Sequence, residues 1–361
     1  MDTSTSEKIK EVLHRQLEGL GTFEQCALLS YPDHYNVGDH LIWLGTLFYL
    51  KDVLKTKINY AASIESFSEL AMEEQVGKAP IIVHGGGNLG DIWSYYQKFY
   101  EGLVSKYQDR PIIIMPQSIY FANLDKLKKA ANVFNAHPNL TICARENYSY
   151  ELASQHFHNC QLLKAPDMAF QLANLPGLSS NYSQKHSILY HCRGDKEFNE
   201  TSSPTSLELP NLVVEDWASY KYKGAPRTSS IAGITRILQD GWQQGSIIPV
   251  EWISRQIWQN FHSYTAKFED MYEPSIHRKS WKFMHNGVYQ FKQHRLIVTN
   301  RLHGHILCVL LGIPHVFLAN AYHKNESFYQ TWTYQIPYCK FVKDASQVKD
   351  TVQELLDALK N

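Results

Sequence analysis

Short apolar runs alternate with longer segments of mixed polarity through the first half of the chain. The runs predict buried strands and the segments between them predict helices. Predicted strands cover residues 26–31, 80–83, 111–115, 140–144 and 162–165; predicted helices cover 40–54, 91–106, 124–136 and a segment that ends at His156. Short apolar strands separated by helices are typical of a parallel sheet that is covered on both faces.

A second series of strands and helices begins near residue 187. Predicted strands cover 188–192, 296–299 and 315–318, and predicted helices cover 229–242, 252–268, 304–311 and 347–359. The interval 269–289 is poorly patterned and carries no prediction, and 1–21 predicts an amphipathic helix. We therefore predict an α/β fold of two doubly wound domains with a cleft between them. The predicted domains cover 1–175 and 176–340, and a C-terminal helix lies in 341–361.

Composition narrows the class of protein. A chain of 361 residues is long for one core, which favours two domains. The 35 Lys and Arg balance the 35 Asp and Glu, so nothing in the net charge supports a nucleic-acid partner. No signal peptide and no apolar run long enough to span a bilayer is visible. We predict a cytoplasmic protein without an integral membrane segment; a peripheral position where lipid-linked acceptors are assembled stays open.

A glycine-rich segment, His84-Gly-Gly-Gly-Asn-Leu-Gly-Asp91, joins a predicted strand to a predicted helix. In that layout the backbone N–H groups at the helix N-terminus form an anion site. Gly86 and Gly87 let the backbone come close to a ligand, and Asn88 follows them. The segment lacks the Lys-Ser/Thr ending of a Walker A loop and the spacing of a dinucleotide site. Asp91 is either a helix cap or a catalytic or sugar-binding carboxylate.

A second segment, Asn300-Arg-Leu-His-Gly-His305, also follows an apolar strand. An arginine and two histidines at that place are costly unless they are paired or face a ligand. The guanidinium fork of Arg301 matches a carboxylate or a phosphate, and His303 can act as a general acid or base. His305 lies further along the helix, where a buried, hydrogen-bonded histidine is favoured. No acidic or thiolate partner stands at a matching spacing, so we predict no metal site.

Other strand ends carry polar side chains as well. The glycine and Asx residues of 32–39 suit a turn at the carboxyl end of a parallel strand, where open sheets bind ligands. Arg193 follows the strand 188–192 and would bring a second guanidinium to the cleft. Arg145 takes the equivalent place in the first domain, where a structural ion pair with Asp167 or Glu146 is favoured.

Six segments, in this order, resemble the polysaccharide pyruvyl transferase family. They are Tyr31-Pro-Asp-His-Tyr-Asn-Val-Gly-Asp39, His84-Gly-Gly-Gly-Asn-Leu-Gly-Asp-Ile-Trp93, Ala144-Arg-Glu146, Pro166-Asp167, Arg193-Gly-Asp-Lys-Glu197 and Arg301-Leu-His-Gly-His-Ile-Leu-Cys-Val-Leu-Leu-Gly-Ile-Pro314. The resemblance implies a GT-B-like pair of Rossmann-like domains. It also implies transfer of pyruvate from phosphoenolpyruvate to two hydroxyls of a sugar in an exopolysaccharide or cell-surface glycan precursor. The products are a cyclic ketal and phosphate.

The resemblance further implies roles for single residues. His303 would protonate the donor, and Asp91, or His303 after donation, would be the base. Contacts to phosphoenolpyruvate are expected from Arg193, Arg301, Gly86, Gly87 and Asn88. Contacts to the acceptor are expected from His34, Asp39, Trp93 and His305. Phosphoenolpyruvate is a co-substrate and no cofactor is implied; the acceptor is a sugar, an oligosaccharide or a lipid-linked glycan.

Two alternatives stay open at this point. A GT-B glycosyltransferase would share the fold but bind a nucleotide sugar, for which no diphosphate-binding segment is clear. A non-catalytic glycan-binding protein would keep the fold and lose an active-site residue. The acceptor sugar, the hydroxyl pair and the oligomeric state do not follow from the sequence.

Overall fold

The computed structural model describes residues 4–176, 178, 185–192, 209, 211–222, 257, 258 and 260–359. Its strands form two sheets. The first contains β1 (Gln25–Leu29), β2 (Lys57–Ala62), β3 (Ile81–Val83), β4 (Gly86–Gly90), β5 (Ile112–Tyr120), β6 (Leu140–Ala144) and β7 (Gln161–Lys164). The second contains β8 (Lys185–His191), β9 (Leu212–Glu215), β10 (His294–Thr299), β11 (His315–Leu318) and β12 (Cys339–Val342).

Helices connect and cover these strands. They are α1 (Ser4–Leu17), α2 (Val37–Phe48), α3 (Glu69–Val76), α4 (Ser94–Lys106), α5 (Leu124–Asn135), α6 (Asn147–His156), α7 (Pro274–Lys292), α8 (Leu302–Leu311), α9 (Lys324–Phe328) and α10 (Val348–Ala358). No helix in these described ranges is both long and apolar enough to cross a membrane.

The strand order explains where a ligand should bind. The first sheet runs β2-β1-β3-β5-β6-β7, with β4 beside β5, and the second runs β12-β11-β10-β8-β9. Every described pairing is parallel. In each sheet the order reverses once, between β1 and β3 and between β8 and β10. Open α/β sheets bind ligands at the carboxyl ends of the strands beside such a reversal.

Three buried apolar clusters hold the layers together. One covers the outer face of the first sheet and another the outer face of the second. The third lies between the sheets and includes Leu28 of β1, Leu189 of β8 and the apolar side chains of α2. Every residue of α2 except Asp39 is buried, because this helix packs against neighbours on all sides.

The prediction of an α/β fold with parallel, Rossmann-like sheets is confirmed. Strands β6 and β11 have the predicted limits, and the two sheets lie on either side of the predicted domain boundary at residue 175. The domain division and the GT-B arrangement stay predictions. Predicted helix 229–242 lies outside the described residues, as do 252–256 and 259 of predicted helix 252–268. Residues 263–268 form a 3₁₀ helix instead of an α-helix end.

One long helix was missed in the sequence. Helix α7 occupies most of the interval that carried no prediction, and its buried residues include polar ones such as His277, Ser280 and Gln290. Because several of its buried positions are polar, the segment is not apolar enough on average to stand out in the sequence as a core helix.

Candidate active site

A pocket of about 330 Å³ opens at the carboxyl ends of strands from both sheets. It is lined by His34, Tyr35, Asn36, Asp39, Gly87, Asn88, Trp93, Tyr96, Arg145, Trp217, Tyr220, Arg301, Leu302, His303 and Lys324. The first sheet and its loops supply the residues up to Arg145, and the second supplies the rest. The pocket thus lies where the strand order of both sheets predicts a ligand site.

His303 stands in the first turn of α8 and reaches across to the first sheet. Its Nε2 lies 3.4 Å from Oδ2 of Asp167, which follows β7. Its ring packs on the backbone of Gly38 so closely that a Cβ there would lie 2.4 Å from Nδ1. His303 is 9% exposed, so neighbouring residues enclose most of its side chain and only a small part faces the pocket.

Asp167 is fully buried and is held by several donors. Arg145 Nη1 donates to Oδ2 over 2.7 Å, and the Ala169 N–H donates to Oδ1 over 2.9 Å. Burial alone would raise the pKa of Asp167, but His303, Arg145 and these hydrogen bonds outweigh it and hold the pKa well below the usual range. The Asp167 carboxylate therefore stays charged beside the His303 ring.

Arg145 joins this pair to the glycine-rich segment. The structure contains the Arg145–Asp167 ion pair expected from the sequence, and Arg145, although buried, also lines the pocket. A Cβ on Gly87 would lie 3.3 Å from Arg145 Nη2 and 3.7 Å from Lys324 Nζ. Two cationic groups therefore converge on a backbone position without a side chain, which leaves room for a small anion.

Arg301 lines the pocket with its fork already engaged. Its Nε and Nη2 donate to the two carboxylate oxygens of Asp216, over 2.5 and 2.6 Å. The guanidinium also lies over the ring of Tyr220. A bidentate pair of this kind fixes the direction of the guanidinium. The predicted contact to the donor substrate would therefore use the part of Arg301 that faces the pocket.

The glycine-rich segment differs from its prediction. It is not a loop that runs straight into a helix: Gly86–Gly90 forms β4, which pairs with β5, and α4 begins only at Ser94. Gly90 has φ of 136°, and a Cβ there would lie 1.8 Å from the Tyr120 carbonyl oxygen. The glycines thus serve close strand packing. Gly87 and Asn88 line the pocket, and Gly86 is not among the lining residues.

Asp91 and His305 lie away from the pocket lining. The Asp91 carboxylate accepts the backbone N–H groups of Ala122 and Asn123 and so holds the turn before α5. His305 is fully buried beside His315 and Thr333, as a buried, hydrogen-bonded histidine would be. The catalytic role of Asp91 and the acceptor contact of His305 stay predictions without a pocket contact to support them.

The remaining predicted acceptor residues do line the pocket. Asp39 accepts a hydrogen bond from Asn36 Nδ2 at 2.7 Å and lies 3.4 Å from Nε2 of His34. Burial would raise the pKa of Asp39, but His34, His303 and two further histidines lower it below its usual value. Trp93 forms part of the wall. Arg193 lies outside the described residues.

Several lining residues were missed in the sequence. Lys324 follows β11, and Trp217 and Tyr220 follow β9. The position directly after a buried strand identified Arg301, but Lys324 is separated from β11 by residues 319–323 and stands at the start of α9, so this signal does not point to it. No strand was predicted at 212–215, so no strand end drew attention to the two aromatic residues.

Comparison with known proteins identifies the family. The family model described as Polysaccharide pyruvyl transferase matches residues 36–322, most of the chain. A putative pyruvyl transferase, EpsO, of Bacillus subtilis (strain 168) is 30% identical over 340 residues, covering 94% of this chain and 95% of that protein. Pyruvyl transferase 1 of Schizosaccharomyces pombe is 26% identical over 352 residues, covering 93% of this chain and 75% of that protein.

A solved structure supports the fold alone. An uncharacterised protein from Klebsiella pneumoniae subsp. pneumoniae NTUH-K2044 superposes with a TM-score of 0.55 at 18% identity, over 93% of this chain and 98% of that one. The resemblance that the six sequence segments indicated is confirmed by the family match and the relatives.

Proposed function

This chain belongs to the polysaccharide pyruvyl transferase family and is a transferase, and we propose that it moves pyruvate from phosphoenolpyruvate to two hydroxyls of a sugar. The observation that carries the proposal is the chain of contacts from Arg145 through Asp167 to His303, in a pocket that also holds Lys324 and Arg301. A proton donor beside several cations suits a small polyanion that must be protonated on carbon.

The first step uses His303 as general acid. His303, as the imidazolium, gives its proton to the methylene carbon of phosphoenolpyruvate, and the C=C electron pair forms the new C–H bond. Positive charge then develops on the adjacent carbon, which bears the carboxylate and the phosphate ester oxygen. Asp167 stabilises the imidazolium beforehand and keeps the ring oriented, as a buried carboxylate does for a catalytic histidine.

The second step forms two bonds to that carbon and breaks one. A sugar hydroxyl attacks it and loses its proton to neutral His303 or to Asp39, the carboxylate that lines the pocket in the described part of the chain. A second hydroxyl of the same sugar then attacks, the bond to the phosphate oxygen breaks, and the hydroxyl proton leaves with the departing phosphate. Arg145 and Lys324 beside Gly87 would stabilise its charge.

The aromatic wall supports a sugar acceptor. Trp93, Tyr96, Trp217 and Tyr220 line the pocket together with the polar side chains of His34 and Asn36. Flat apolar rings with polar edges pack against the C–H faces of sugars. The GT-B arrangement, the exopolysaccharide context and the cytoplasmic location stay predictions.

The test is phosphate release from phosphoenolpyruvate with a panel of galactosides, glucosides and N-acetylmannosaminides, followed by mass spectrometry of the acceptor. We expect acceptor-dependent phosphate release, a pyruvate adduct, and loss of both in folded His303→Ala. Tight binding of a nucleotide sugar by calorimetry, with no response to phosphoenolpyruvate, would instead identify a glycosyltransferase and overturn the proposal.

A further inference from the structure

A second group of polar side chains, one of them from α8, is buried away from the pocket lining. His305 Nδ1, His315 Nε2 and Cys339 Sγ all lie within 4.8 Å of one another. The three residues are at most 2% exposed. Within the described residues this is the group of histidine, cysteine and acidic side chains whose ligand atoms converge closely enough to hold a metal ion.

The fold brings these residues together from three elements. His315 and Cys339 are register partners at the first positions of the parallel strands β11 and β12. Partner residues on adjacent strands direct their side chains to the same face of a sheet. His305 comes from α8, and Cys308 lies three residues later on the same side of that helix. The Cys308 Sγ is not among the three ligand atoms that already converge, so it would have to turn toward them.

Both imidazoles are oriented through their other nitrogen. His315 Nδ1 donates to the Ile313 carbonyl oxygen over 2.8 Å, so its Nε2 carries a lone pair. His305 Nε2 lies 3.0 Å from Thr333 Oγ1, which leaves Nδ1 toward the cluster. Histidines that ligate metals characteristically use their second nitrogen in this way.

We propose that His305 Nδ1, His315 Nε2 and Cys339 Sγ bind a divalent cation of the zinc class, with Cys308 as the fourth ligand. The Cys339 Sγ to His305 Nδ1 distance is 3.6 Å, which is about the S–N separation of a tetrahedral zinc site. The two imidazole nitrogens are 2.7 Å apart and would have to separate to about 3.3 Å, a small ring rotation. Each bound thiol releases its proton to solvent.

This site would be structural. It lies in the dry core and its ligands would close the coordination shell, leaving no position for substrate. The cation would fasten α8, which begins with His303, to β11 and β12. The proposal goes against the sequence-based prediction of no metal, which saw the two histidines of His303-Gly-His305 but no thiolate at a matching spacing.

Cobalt substitution of the full-length protein tests the site. The chain is stripped with a chelator, loaded with Co²⁺ and desalted; bound metal is counted by plasma mass spectrometry and thiolate ligation is read from the charge-transfer absorption. We expect one ion per chain and a thiolate band that Cys339→Ser abolishes and Cys308→Ser weakens. Cys143→Ser is the matched control, since Cys143 is equally buried in the first sheet and should leave the band intact.

A folded wild-type chain that retains neither cobalt nor zinc in stoichiometric amount would overturn the proposal and leave a neutral histidine pair. So would a band that survives in Cys339→Ser. If that variant does not fold, the wild type decides: its melting temperature must fall on chelation and recover with zinc. An unchanged band in Cys308→Ser would refute Cys308 as the fourth ligand.

Discussion

Gly38→Ala tests the position of His303 with one added methyl group. Gly38 lies in the first turn of α2, and a Cβ there would lie 2.4, 2.5 and 2.6 Å from Nδ1, Cγ and Cβ of His303. Its backbone is not among the positive-φ residues, so alanine suits the local conformation. Alanine is also the better helix former, by up to about 1 kcal/mol. The substitution should therefore act on the His303 ring and little on α2.

The expected loss follows from the size of the overlap. Non-bonded carbon and nitrogen atoms rest at roughly 3.5 Å, so the ring must move by about 1 Å. A displacement of about 1 Å in a catalytic group costs on the order of 100-fold in rate. We expect kcat for phosphate release to fall by about that factor. The free energy of unfolding should change by no more than about 1–2 kcal/mol, as for a modest overpacking.

Phosphate release at saturating phosphoenolpyruvate and acceptor measures kcat, and thermal unfolding measures stability. Gly102→Ala is the matched control, because Gly102 lies inside α4 and a Cβ there meets nothing within 4 Å. The control should keep wild-type turnover and gain slightly in stability. Wild-type kcat in folded Gly38→Ala would refute the idea that catalysis depends on His303 at this place.

Three further results are expected. Asp167→Asn should lower kcat at least 100-fold with a smaller change in KM, because His303 loses the charged partner that orients its ring; an unchanged kcat would remove Asp167 from that role. Lys324→Ala should raise KM for phosphoenolpyruvate about tenfold while the exposed control Lys128→Ala does not, as steady-state kinetics will show. Burial lowers the pKa of His277 to about 4. Below about pH 6.5, and until the pH nears 4, His277 is therefore protonated in the unfolded chain but neutral in the folded one. The stabilising contribution of neutral His277 is thus present above about pH 6.5 and declines as the pH falls toward 4. Across that pH range the melting temperature should fall less steeply in His277→Gln than in the wild type; equal slopes of melting temperature against pH would contradict this.

The sequence predicted elements well where one property dominated. Leu140–Ala144 and His315–Leu318 are short, mainly apolar runs, and both strands have those limits. Gly86–Gly90 was taken as a loop because glycine is rare in strands. What makes it a strand is its partner: β5 supplies the hydrogen bonds, and the Tyr120 carbonyl leaves no room for a side chain at Gly90. That information lies 30 residues away, outside any local pattern.

The site shows the same limit. Arg301 and His303 stand directly after a buried strand. Because burying polar groups there is costly unless they are paired or face a ligand, the sequence predicted that they face a pocket. Asp91, which follows the glycines, was an equally good candidate for a catalytic carboxylate in the sequence. The direction of its side chain depends on the turn at 121–123, because the carboxylate accepts hydrogen bonds from backbone N–H groups there. Asp39 could not be preferred over Asp91 as the pocket carboxylate, because neither residue's neighbours across the chain are visible in sequence.

The contacts of His303 make the two sheets a single catalytic unit. The histidine belongs to α8 of the second sheet, yet the carboxylate beside its ring and the glycine that the ring packs on belong to the first. Asp167 is in turn fixed by Arg145, which also faces the pocket beside Lys324. A motion that separated the sheets would therefore remove the acid's partner and dismantle the anion site together. For the proposed reaction, this coupling would confine protonation of the donor to the assembled pocket.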